Sequence, residues 1–115
     1  MIKFAASFEA EKRENMRGGN GTVEVQNVLT AEEMNGKGRL FGTITLRPGC
    51  SIGYHTHEGD SEIFYVLEGS PLYNDNGTEK TVHPGDVLIC PNGTGHAIAN
   101  PTDQTVRVMA LIVYA

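Results

Sequence analysis

An all-β domain, closed as a sandwich or a barrel, is the fold class this chain predicts, and two observations carry it. Glycine occurs 14 times and proline 5 times in 115 residues, spaced so that a turn signal falls roughly every eight to twelve residues. Between those signals lie short segments rich in Val, Ile, Thr, Tyr and Phe, residues that pack well on a pleated surface.

The expected strands are Thr22–Val28, Leu40–Arg47, Ser51–His57, Glu62–Glu68, Pro71–Asn74, Glu79–Val82, Asp86–Cys90, His96–Asn100 and Thr105–Tyr114. Helix is nearly absent: Ala6–Met16 is expected to form a short one, and Thr30 with Glu33 has capping-box spacing for a single turn. Asn74-Asp75-Asn76-Gly77 supplies residues that tolerate positive φ for a hairpin, and His83-Pro84-Gly85-Asp86 fits a turn with Pro second and Gly third. Antiparallel neighbours follow from such turns. A chain of 115 residues is the size of one domain with one core. Residues 1–21 are read as an N-terminal arm and 22–115 as a single barrel domain.

Composition removes several function classes. Lys and Arg total 9 against 14 Asp and Glu, a formal charge of −5, with no basic cluster along the chain. Nucleic-acid binding needs concentrated basic charge and is not expected. No apolar run approaches the ~20 residues that span a bilayer, and the N-terminus turns charged by Glu9, so an unexported, cytoplasmic protein is expected. Cys50 and Cys90 match neither a zinc ribbon nor a redox pair and are read as reduced thiols. The sequons at Asn20, Asn76 and Asn92 are read as turns, and His83 as a surface residue.

Ile63–Leu67 and Val108–Tyr114 are apolar at both parities, so each strand should be covered on both faces. One barrel interior accounts for one face. The other is expected to be covered by a second chain, giving a homodimer, or by the N-terminal segment folded back.

His55 and His57 are separated by one residue on an expected strand and therefore share a face. Glu62 follows the turn at Glu58-Gly59-Asp60, and His96 follows the Pro91-Asn92-Gly93 loop. Three imidazoles and a carboxylate suit Mn²⁺, Fe²⁺, Co²⁺, Ni²⁺ or Zn²⁺ rather than Ca²⁺ or Mg²⁺, and leave positions open for a ligand if the ion is six-coordinate. A His-x-His pair alone is also the pattern of a solvated or core-satisfied pair.

The longer spacing is more specific. Gly49-x5-His55-x-His57-x4-Glu62-x6-Gly69 and Gly85-x5-Pro91-x-Gly93-x2-His96-x3-Asn100, separated by Ser70–Pro84, resemble the two signature motifs of the cupin family at every defined position. The resemblance implies a double-stranded β-helix, or jelly roll, often dimeric, with His55, His57, Glu62 and His96 on one divalent metal ion. The whole chain resembles small single-domain bacterial cupins, some labelled oxalate-decarboxylase-like, a label that implies manganese and a dicarboxylate. True decarboxylases of the family carry two cupin domains, a lid acid and a placed arginine. Here the lid acid and the arginine are not identifiable.

Strand parity puts Ser51 and Gly53 on the face of His55 and His57, Phe64 and Val66 on that of Glu62, and Ile98 on that of His96. Such a small, mostly apolar lining favours a small carboxylate or enol-type chelator held mainly by the ion. Phe64 is taken as a substrate contact, Glu62 as a base when it releases the ion, and Arg17, on a Gly-rich segment, as a partner for a substrate carboxylate. The function expected is therefore a metal-dependent enzyme of dioxygenase or decarboxylase type. The alternatives are a metal-dependent binding or sensing module without turnover, and a structural or storage barrel.

Overall fold

The computed structural model describes residues 1–115. Ten strands form: β1 (Glu11–Glu14), β2 (Thr22–Asn27), β3 (Gly38–Leu46), β4 (Ser51–Thr56), β5 (Asp60–Glu68), β6 (Leu72–Asp75), β7 (Thr78–Thr81), β8 (Val87–Cys90), β9 (Gly95–Ala99) and β10 (Val106–Tyr114). The nine strands expected from the sequence all form, with ends displaced by no more than two residues. They make a six-stranded sheet in the order β1-β2-β3-β10-β5-β8 and a four-stranded sheet in the order β4-β9-β6-β7. All pairings are antiparallel, as expected of a jelly roll.

Alternation along the strands makes the core. Val23, Val25, Ile44, Leu46, Phe64, Val66, Val108 and Ala110 from the larger sheet meet Ile52, Tyr73 and Ile98 from the smaller, all buried. Each such large aliphatic side chain contributes about 1.5–3 kcal/mol over an exposed one. Asn100 closes one end: its amide donates to the carbonyls of Leu46 and Gln104 at 2.9 and 2.6 Å, and its oxygen accepts from the Thr102 amide at 3.0 Å. The capping pair forms too, Glu33 accepting from the Thr30 amide at 2.8 Å and Thr30 accepting from the Glu33 amide at 3.1 Å. Cys50 and Cys90 are free thiols, and His83 is exposed.

Two expectations need correction. The segment Ala6–Met16 is not a helix: a short 3-10 turn at Ala5–Ser7 leads into β1. Its residues favour helix individually, but Glu11–Glu14 is wholly polar and has no apolar stripe to bury, whereas the free edge of β2 satisfies its backbone. The arm also does not cover the outer face of β5, β10 and β8, because it pairs at the opposite edge of the sheet. Tyr65, Leu67, Val87 and Ile89 stay 47%, 41%, 53% and 57% exposed. Cross-strand register makes rows of them, Met109 beside Tyr65 beside Val87, and Phe41 beside Leu111 beside Ile63 beside Ile89.

Candidate metal centre

Antiparallel pairing of β4 with β9 sets His55 directly opposite His96. His57 lies just past β4, where its amide donates to the Thr94 carbonyl at 2.9 Å and its carbonyl accepts from the Gly93 amide at 2.7 Å. Glu62 enters from β5, in the other sheet. One donor atom from each of His55, His57, Glu62 and His96 falls within 4.8 Å of all the others. The Glu62 Oε1 atom lies 3.1 Å from His57 Nε2 and 3.0 Å from His96 Nε2, and those two nitrogens are 3.2 Å apart. Ligand bonds of about 2.0–2.2 Å at right angles would put neighbouring donors roughly 3 Å apart, so His57, Glu62 and His96 stand at the spacing of adjacent ligands on a first-row divalent ion, with His55 close by.

Each histidine is oriented through its other ring nitrogen. His55 Nδ1 donates to the Gly53 carbonyl at 2.8 Å, His57 Nδ1 to Asp60 Oδ1 at 2.7 Å, and His96 Nδ1 shares a hydrogen bond with Tyr73 Oη at 2.8 Å. A hydroxyl both donates and accepts, so Tyr73 can serve His96 in either tautomer. Asp60 is held in turn by Arg39 Nε at 3.0 Å. Such outer partners fix ring orientation and raise the basicity of the ligand. Asp60→Asn should accordingly weaken metal binding by about 10–100-fold with the fold intact, measured by chelator competition; unchanged affinity would show that Arg39 and Asp60 serve only structure.

The cluster is deeply placed, with His57, Glu62 and His96 at 3%, 5% and 1% exposure. Burial alone would raise the Glu62 carboxyl, but hydrogen bonds from His57 and His96 outweigh it and hold the group at about 2. The Glu62 and Asp60 carboxylates push His57 above its ordinary 6.5, Glu62 more strongly, against the opposing effect of burial. Burial pushes His55 below 6.5. Of the groups so shifted, His57 is the one driven toward its protonated form, so a metal ion must displace a proton from it. Loading is expected to release protons near pH 6.5 and progressively fewer as pH rises past the elevated His57 value. Affinity should climb over that span and then level. Calorimetry in buffers of different ionisation enthalpy reads the count, and a release that grows with pH would contradict the assignment.

The cluster opens into a cavity of about 170 Å³. Here the expected lining changes. A β-bulge between Ile52 and His55 inserts one residue into β4, so Ile52, not Ser51 or Gly53, shares the inner face with the histidines and lines the cavity. Phe64 is buried against the His96 ring, stacked at 5.3 Å and 13°, and is not among the cavity residues. Its position supports His96 instead of offering a surface to a ligand. Arg17 does line the cavity, joined by Arg13 of β1 and Arg39 of β3. Arg39 arrives through a second bulge, where successive β10 residues Ile112 and Val113 face Leu40 and Gly38 and leave Arg39 between them. Sequence reasoning passed over Asp60, Tyr73, Arg13 and Arg39. Asp60 had a signal, an acid between two ligand positions; the arginines are placed by tertiary pairing and had none.

Residues 42–114 match the Cupin domain family. This chain is a cupin. It is 38% identical over 113 residues to the oxalate-binding protein of Thermotoga maritima, covering 98% of this cupin and 93% of that protein. It is also similar to the crystal structure of a predicted oxalate decarboxylase from Thermotoga maritima, with a TM-score of 0.95, 37% identity and full coverage of both chains. The cupin domain of an XRE family transcriptional regulator from Enterobacter cloacae superimposes with a TM-score of 0.69 at 22% identity, over 81% of this chain and 97% of that one, a likeness of fold alone. No helix of this cupin is long and apolar enough to cross a membrane.

Proposed function

We propose that this cupin holds one divalent transition ion on His55, His57, Glu62 and His96 and uses it to take a small carboxylate or enol-type metabolite, with turnover of dioxygenase or decarboxylase type. The observation that carries the reading is a four-donor cluster of which His55, His57 and Glu62 line a cavity with arginines on its wall. The ion would supply Lewis acidity or an oxygen-activating centre. The chain's own residues do the remainder: Ile52, Ile44 and Leu40 exclude water, Arg17 draws in an anion, and Glu62 both ligates and, on release, accepts a proton at its carboxylate.

A second reading, capture without turnover, is favoured by a specific observation. The acids of the cavity are already engaged, Glu11 by Arg13 at 3.0 Å and Glu62 by two histidines, which leaves no free general acid. The name of the Thermotoga oxalate-binding protein points the same way. Elemental analysis of untagged protein, followed by oxygen-uptake and carbon-dioxide-release assays on small carboxylates with the native ion loaded, separates the two. Gas exchange supports the enzyme; carboxylate binding with neither gas changing supports the module; a protein that takes no transition ion under any loading condition defeats both.

The proposal includes a homodimer. With β1 at the far edge of the larger sheet, the uncovered apolar rows of β10, β5 and β8 are left for a second copy to bury.

A further inference from the structure

The inner face of β1 is at odds with its surroundings. Glu11 and Arg13 stand in register with Val25 and Val23, two buried core residues of the neighbouring strand, so both charged side chains project toward the barrel interior and line the cavity. Next along the chain, Arg17 lines the same cavity and forms no ion pair or side-chain hydrogen bond. Its backbone is in the left-handed region, φ 55° and ψ 32°, after Asn15 at φ 48°, a conformation that non-glycine residues adopt only when surroundings impose it.

Those surroundings are visible. The Arg17 carbonyl lies against bare backbone at Gly53 of β4, where a Cβ would collide with it, and Gly19 lies as closely on Ser51. Asn20 and Ser51 add reciprocal bonds, the Asn20 amide to Ser51 Oγ and the Ser51 amide to the Asn20 carbonyl, each 2.9 Å. The segment carrying Arg17 is thus pinned to β4 beside the cavity.

A ligand that fills this cavity meets positive charge at the ion on its histidines and at Arg17, because the other two arginines of the wall are already paired, Arg13 with Glu11 and Arg39 with Asp60, each at 3.0 Å. The volume of about 170 Å³ is room for about six water molecules, more than oxalate occupies once both of its carboxylates chelate the ion. We infer that Arg17 forms a distal anion subsite, and that the ligand of this cupin is a dicarboxylate longer than oxalate, chelating through an α-keto or α-hydroxy acid end and presenting its far carboxylate to this arginine. This rests on the small-carboxylate reading above and narrows it.

The test is calorimetry on manganese-loaded protein with three probes: oxalate, α-ketoglutarate, and α-ketobutyrate, which keeps the chelating end and lacks the far carboxylate. α-Ketoglutarate should bind about tenfold or more tighter than α-ketobutyrate, the scale of a charge-assisted hydrogen bond. Arg17→Gln should abolish that advantage, while manganese affinity by chelator competition, the internal control for fold and metal, stays within about twofold. The proposal is overturned if the two keto acids bind alike in the wild type, or if the advantage survives the Arg17→Gln substitution. Should metal-loaded protein bind none of the three, the carboxylate reading falls with it; oxalate binding without discrimination between the keto acids removes the distal subsite alone.

Discussion

His57→Ala protein should bind a divalent transition ion at least about 100-fold more weakly than the wild type and still fold. Loss of a partner that merely orients a ligand costs about 10–100-fold, so loss of the ligand itself belongs at or beyond the upper end. The fold should survive because the neighbours of His57 keep partners: Glu62 retains His96 at 3.0 Å and Asp60 retains Arg39 at 3.0 Å. The core residues named above make their contacts without it. A stability loss of about 1–3 kcal/mol, the cost of a broken buried hydrogen bond, is expected in urea titration of the metal-free protein. Metal content by elemental analysis and affinity by chelator competition decide the matter. Full occupancy in the variant would mean that the imidazole cluster is a packing arrangement and not a coordination site.

The second large effect concerns assembly. Wild-type protein should sediment as a dimer at micromolar concentration, and the double variant Tyr65→Glu, Ile89→Glu as a monomer. Both side chains project outward and are about half exposed, so neither substitution touches the barrel interior. On the two rows of apolar residues that cross β10, β5 and β8, a twofold interface meets itself, and each new carboxylate is buried opposite its own kind. Desolvation and like-charge repulsion together should weaken association by on the order of a thousandfold or more. Sedimentation velocity on both proteins is the measurement. A wild type that remains monomeric at high concentration would leave these rows for some other partner.

How much of this was legible beforehand varies with the kind of information involved. Strands from Thr22 onward follow from turn residues and β-branched runs because those signals are local. The ligand set follows from spacing because His55, His57, Glu62 and His96 are fixed relative to turns that the sequence also displays. Glu11–Glu14 was misread because its residues favour helix one at a time, and only the edge of β2, remote in sequence, makes extended backbone the better solution. The lining of the cavity was misread for a different reason. Parity counts through a strand fail at a bulge, and the bulge after Ile52 turns that side chain inward while Ser51 and Gly53 leave the face. The same kind of irregularity beside Ile112 delivers Arg39 to Asp60. Nothing in the residue string marks either place, since a bulge is a property of two strands together.

The donors come from both halves of the barrel, His55 and His96 from the four-stranded sheet and Glu62 from the six-stranded one. An ion seated among them rivets the sheets to each other. Prising the barrel open then requires breaking the chelate first, while a collapsing chain gains nothing from metal until the sheets have already met. Metal would accordingly act as a brake on unfolding and leave the speed of folding almost untouched, making retention of the fold over time, more than its formation, the property that depends on supply of the ion.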